Sequence, residues 1–309
     1  MAFTRIDFTA ESGNAAAAFD AIIAFLTDTP ATIGRDWTIE EDRRASGDEV
    51  ILKNFGASGS EAIYLGLRFV AGSLGFQFRV LRAWDEGADL WNRDSPYGSD
   101  IADPTHATAN FHPLLSVADA VPMSVWIASN AYRVILVSKV QGIYFAAYAG
   151  QILRYAQPSE HPFPLLALSD GHAGYINGNT TYWAGLYTDL TYHRGLLWPD
   201  TDMTQDGYTP RICNCLCLPD NQWSPVEIWP TEGLRPNPGL VYPSGAARVL
   251  IPARVVADGM MFGELDGAFW IPNQSNTAES TVTVGADTYI VFPSLNSVSG
   301  HMFWALKEE

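Results

Sequence analysis

The stretch MSVWIASNAYRVILVSKVQGIYFAAYA, residues 123–149, decides the fold class. It reads as three strands, Met123 to Ser129, Arg133 to Val140 and Ile143 to Ala149, split by Asn130-Ala131 and Gln141-Gly142. β-Branched and aromatic side chains favour strands. Gaps this short join antiparallel neighbours, because parallel strands need a long crossover. An antiparallel meander is therefore expected here.

Upstream, Glu49 to Phe55 (EVILKNF), Glu61 to Val70 (EAIYLGLRFV) and Gly75 to Trp84 (GFQFRVLRAW) have the same character, broken at Gly56-Ala57-Ser58-Gly59 and Gly72-Ser73. Phe76, Phe78 and Val80 alternate with Gln77 and Arg79, as in a strand with one buried face. The two groups read as one meander that is interrupted and resumes at 123. Further upstream, Ser12 to Thr27 (SGNAAAAFDAIIAFLT) is the clearest helix, with Phe19, Ile22, Ile23, Phe25 and Leu26 at helical spacing. Ser12 is the expected N-cap, and the helix is expected to cover one sheet. Strand patterns return at Val249 to Val256, Met260 to Ile271, Ser280 to Val284, Tyr289 to Phe292 and His301 to Leu306. The expected fold is mainly β: antiparallel, sandwich-like modules with one N-terminal amphipathic helix. The polar SDGHAG stretch suggests two modules, 1–165 and 166–309.

Two segments break the pattern. Asp85 to Val121 and Tyr192 to Tyr242 carry Pro, Gly and charge with no period, and long loops in compact domains are often functional. They hold Trp91, Tyr97, Trp198, Trp223 and Trp229. Protein interfaces concentrate Trp and Tyr and deplete Lys, so these five are the candidate interface residues. The competing reading packs the same rings inward beneath the loops.

Composition narrows the function. With 47% hydrophobic and 17% charged residues among 309, the chain can bury a large core. Eighteen Lys and Arg against 34 Asp and Glu give a net charge of −16, which repels a phosphate backbone and argues against nucleic-acid binding. No signal-peptide pattern and no apolar run long enough to span a bilayer stands out, so synthesis in a cytoplasm without membrane insertion is expected.

Candidate chemistry is sparse. Cys213, Cys215 and Cys217 alternate along RICNCLCL and would face one side of a strand. Their i, i+2 separation of about 6.5 Å is poor for a disulfide between neighbours. Buried apolar thiols are favoured over an inter-subunit disulfide and over a zinc site, which would want a C-x₂-C turn and a fourth ligand. Asp200, Asp202 and Asp206 echo a calcium loop, but Gly207 falls late and Arg211 stands where the closing Glu belongs, so a solvated turn is preferred to a metal site. Glu264 and Asp266 share a strand face with glycosidase-like spacing, yet Gly263 and Gly267 bracket them and a strand-end role is preferred. The six histidines are scattered, and GASGSE at 56–61 lacks the lysine and helix of a phosphate loop. No catalytic residue and no cofactor is expected.

Several stretches together carry a resemblance. The helix is followed by WTIE at 37–40 and EVILKNFGASGSEAIYLGLR at 49–68. WIASNAYRVILVSKVQGIYFAAYAGQILRYAQPSEHPFPL follows at 126–165, then GELDGAFWIP at 263–272, GADTYIVFPSL at 285–295 and FWAL at 303–306. In this order they resemble an uncharacterised class of tailed-phage virion proteins. The resemblance implies a non-enzymatic structural component of a phage tail or baseplate, made in the host cytoplasm and housed in the virion. Its implied partners are other tail or baseplate proteins, together with further copies of itself in a symmetric homo-oligomer. The alternatives are a receptor- or glycan-binding module at the tail tip and, behind it, a glycan-cleaving tail enzyme.

Overall fold

The computed structural model describes residues 2–28, 35–56, 58–60, 62–70, 75–81, 84, 113–155, 157, 164–169, 171–172, 211–213, 250–257, 260–272, 276–293 and 302–308. They form three antiparallel sheets. The central sheet runs β1 (Ala2–Phe8), β7 (Met123–Ser129), β8 (Arg133–Val140), β9 (Ile143–Gln151) and β11 (Leu165–Ser169). A proximal sheet runs β12 (Gly171–His172), β6 (Pro113–Ser116), β5 (Gly75–Leu81), β4 (Ile63–Val70), β3 (Glu49–Asn54) and β2 (Thr38–Asp42). The distal sheet runs β13 (Arg211–Cys213), β14 (Ile251–Ala257), β15 (Met260–Pro272), β18 (Met302–Lys307), β17 (Asp287–Pro293) and β16 (Thr281–Val284), with β10 (Leu153–Arg154) also paired to β15. The helix α1 (Asn14–Leu26) and a single turn, α2 (Arg44–Gly47), complete the described elements.

The middle strands of the central sheet, β7 to β9, are buried on both faces, which is why they read as near-continuous apolar runs. Val125, Ile127, Val134, Leu136, Ala147 and Ala149 join a core with α1 and the proximal sheet. Their neighbours Trp126, Ala128, Ile135, Val137, Ala146 and Tyr148 join a second core with Leu265, Ile290, Phe292, Trp304 and Leu306 of the distal sheet. Strand alternation thus sends consecutive side chains into different cores. Each large aliphatic buried this way contributes roughly 1.5–3 kcal/mol.

The mainly-β, sandwich-like fold class is as the sequence predicts. Three details differ. The segments at 49–84 and 123–149 are not one meander: β3 to β5 lie in the proximal sheet and β7 to β9 in the central one. The aperiodic stretch 85–121 contains β6, which pairs with β5 through Gly75↔Ser116. Ser12 does not cap α1. Gly13 holds the N-cap position at φ 90°, and the Asp119 carboxylate accepts from the Ala15 N–H at 3.4 Å, so the helix start is fixed by a distant loop. The strand Ala2–Phe8 is an addition, paired along its whole length with β7. Residue 165 opens β11, and the SDGHAG stretch contributes the last residue of β11 and the whole of β12. No helix among the described residues is long and apolar enough to cross a membrane.

Candidate functional site

Two ionic clusters bridge the central and distal sheets. The first grows from the β7–β8 turn. Asn130 Oδ1 accepts the backbone N–H groups of Tyr132 and Arg133 at 3.0 Å each, and the Asn130 N–H donates to the Arg133 carbonyl at 3.1 Å. That closed turn starts β8 with a fully buried arginine. The Arg133 Nε donates to Asp266 Oδ2 at 3.0 Å, and Nη1 donates to the Ala128 carbonyl at 3.2 Å. The same Asp266 oxygen accepts from Asn130 Nδ2 at 2.7 Å and from the Tyr132 hydroxyl at 3.0 Å. Gly267 follows at φ 77°, and a β-carbon there would collide with the Arg133 guanidinium. Burial, and then the charge of Asp266, push the Tyr132 phenol up to about 12, so it stays protonated and serves as a donor.

The second cluster centres on Glu279, in the turn before β16. Its carboxylate accepts from Arg5 Nη1 at 3.0 Å, from the Tyr144 hydroxyl at 2.6 Å and from the Lys139 ammonium. Arg5 Nε also donates to Asp7 Oδ1 at 2.8 Å, and its guanidinium lies 4.9 Å from the Trp126 ring centre. Ser124 donates to the same Asp7 oxygen at 2.6 Å. Burial alone would raise the Glu279 carboxyl, but the Lys139 and Tyr144 hydrogen bonds and the charges of Lys139 and Arg5 outweigh it and hold it below its ordinary range. Asp7 is lowered as well, first by the Ser124 hydrogen bond. Beside this cluster lies a concavity of about 360 Å³, walled by Asp7, Phe8, Met123, Ser124, Lys139 and Gln141 among others.

Chemically, both clusters are fixed ion pairs that register one sheet on another. Glu264 and Asp266 do not act together: Glu264 accepts from the Tyr155 hydroxyl at 2.7 Å, while Asp266 belongs to the Arg133 cluster. Of the cysteines, Cys213 lies in β13 opposite Arg254, and Cys215 and Cys217 fall outside the described residues. Trp91, Tyr97, Trp198, Trp223 and Trp229 fall outside them too, as do Asp200, Asp202 and Asp206. Among the described residues, no group of three or more His, Cys, Asp or Glu is placed to hold a metal ion.

Sequence reasoning missed both clusters. Arg133 had a signal, a lone cation heading the apolar run VILV, since a charge inside a buried strand needs a partner. Glu279 had none, because SNTAES is an ordinary polar turn by composition. No protein-family model matches this chain, and no curated protein matches it either.

Proposed function

We propose that this protein is a structural component of a bacteriophage tail or baseplate, a rigid β framework that presents long aromatic segments to neighbouring proteins. The observation that carries the reading is where those segments are inserted. β5 and β6 are hydrogen-bonded antiparallel neighbours that a turn of a few residues would join. Instead the chain from Leu81 to Pro113 carries Trp91 and Tyr97 between them. β13 and β14 repeat the arrangement: Cys213 lies opposite Arg254, and Trp223 and Trp229 fall in the intervening chain. Trp198 lies on the connection from β12 in the proximal sheet to β13 in the distal sheet. Both excursions begin and end on paired strands, which is how a scaffold displays a binding loop. The resemblance to tailed-phage virion proteins names the setting.

The test is a map of an intact particle that contains this chain. Trp91, Tyr97, Trp198, Trp223 and Trp229 are expected to lose exposed area on assembly. If fewer than two of them do, the interface reading is wrong. Binding of host polysaccharide by the isolated protein, through the same residues, would favour the tail-tip module instead.

A further inference from the structure

We propose that β1 is a self-association edge, through which two copies of this chain pair antiparallel about a two-fold axis at Ile6. The partner is a second copy, and the central sheets of the two copies become one. This supplies a surface for the homo-oligomer within the tail reading but rests on β1 alone.

The argument begins with the sheet edges. An edge strand offers unpaired N–H and C=O groups, and proteins blunt such edges with short strands, bulges or like charges. Among the described residues β1 is the longest edge strand. β12 has 2 residues, β13 has 3 and β16 has 4. β11 stops at 5. β2 also has 5, is broken by a bulge between Ile39 and Glu41, and carries Glu40, Glu41 and Asp42, which would repel a second copy. β1 is longer than any of these and carries neither the bulge nor the like charges of β2. It has 7 residues, pairs with β7 without a register shift, and contains no proline. Among the described residues, β7 is its only strand partner.

Charge then selects the occupant and the register. In an antiparallel pair made by a two-fold axis, one residue lies opposite its own copy, and the others pair symmetrically about it. Centring on Arg5 sets Arg5 against Arg5, and centring on Asp7 sets Asp7 against Asp7. Centring on Ile6 sets Arg5 opposite Asp7 twice, with Thr4 opposite Phe8. Opposite charges directly across a pair stabilise it and like charges destabilise it. Both side chains keep exposed surface, 43% for Arg5 and 62% for Asp7, beside the bonds that Arg5 makes to Glu279 and Asp7 accepts from Ser124. Their bond within one strand, at 2.8 Å, extends in the dimer to four alternating charges across the axis.

Sedimentation of the full chain over a concentration series tests this. The unsubstituted chain is expected to form a concentration-dependent dimer. Arg5→Asp and Asp7→Arg should each weaken it at least about tenfold, since each sets like charges opposite one another twice. An equimolar mixture of the two variants should recover the dimer, because Asp at 5 of one copy then meets Arg at 7 of the other. A chain that stays monomeric, a dimer indifferent to both variants, or a mixture no tighter than its components overturns the proposal. None of these results bears on binding to tail proteins. Melting of each variant checks its fold. Should either fail to fold, Ile6→Cys replaces them: Cα atoms about 4.5–5.5 Å apart across the axis allow a disulfide. Oxidation should then give a covalent dimer whose mapped bond joins position 6 to position 6, with the unsubstituted chain as control. No such bond means no such pairing.

Discussion

The two seams of the central sheet are closed by different means. On the proximal side, α1 lays Phe19, Ile22 and Leu26 among Val50, Leu52, Phe76 and Phe78, and the polar links among the described residues include the Trp37 indole donating to Ser129 Oγ at 3.1 Å and Ser138 donating to the Ser116 carbonyl. On the distal side, Phe292 meets Trp126 edge to face and Trp304 at a tilt, with ring centres 5.1 and 4.8 Å apart, and the Arg133 and Glu279 clusters bracket them. Apolar burial is non-directional and holds two layers together in many relative positions. A buried ion pair adds little net stability but is costly to break, so it selects one position. The proximal seam is built for adhesion, and the distal seam for adhesion plus registration.

The strongest way to break this contrast is to leave Arg133 without its anion. Asp266→Ala should cost about 3–5 kcal/mol in urea unfolding, because the guanidinium then stays buried and uncompensated. Arg133→Met combined with Asp266→Leu should recover part of that loss, though Asn130 and Tyr132 still lack their acceptor. A cost of Asp266→Ala near zero would remove the registration argument. On the other seam, Ile22→Ala should cost about 2–5 kcal/mol, set by the cavity it leaves. The two substitutions touch opposite faces of the central sheet, so their effects should add within about 0.5 kcal/mol.

Much of this architecture was legible. β3, β7 and β8 fall within a residue of their expected bounds, because their ends are set by local turn chemistry at 56–59, Asn130 and Gln141-Gly142. The partition into three sheets was not read, since the strand beside β7 is Ala2–Phe8, more than a hundred residues upstream, and no local pattern encodes that pairing. A clue was present all the same. VWIA and VILV do not alternate, and unbroken runs mark a sheet covered on both faces, although the alternation in β5 misleads, since Gln77 is fully buried there. The site was less legible than the fold. Glu279 meets its partners from β1, β8 and β9 only after folding, and Asp266 read as a strand-end acid because its partner Arg133 lies 133 positions away.

The helix start sharpens the proximal side by a smaller amount. Gly13→Ala should cost about 1–2 kcal/mol, the penalty for a side chain in the left-handed region that Gly13 occupies at φ 90°. Ser12→Ala should be nearly silent, since no side chain of the usual capping kind holds this end. A thermal melt of the two variants separates them. Equal losses would restore Ser12 as the cap.

The smallest expected loss is also the one that separates the seams by kind. Glu279→Gln removes a charge that is partly exposed and shared among Arg5, Lys139 and Tyr144, so the loss at neutral pH should be on the order of 1 kcal/mol. Its signature is the pH dependence. The Glu279 carboxyl lies lower in the folded chain than its ordinary value of 4.5, so the unfolded chain binds the proton more readily. The contribution is therefore fully present above that ordinary value and fades as pH falls through the lower, folded one. Unfolding of the parent chain and of Glu279→Gln, followed by urea from neutral pH into acid, should give curves that converge at low pH. Ile22→Ala should instead run parallel to the parent over the same range, because no titrating group is lost. If Glu279→Gln also runs parallel, this cluster contributes by packing alone and registration rests on Arg133 and Asp266.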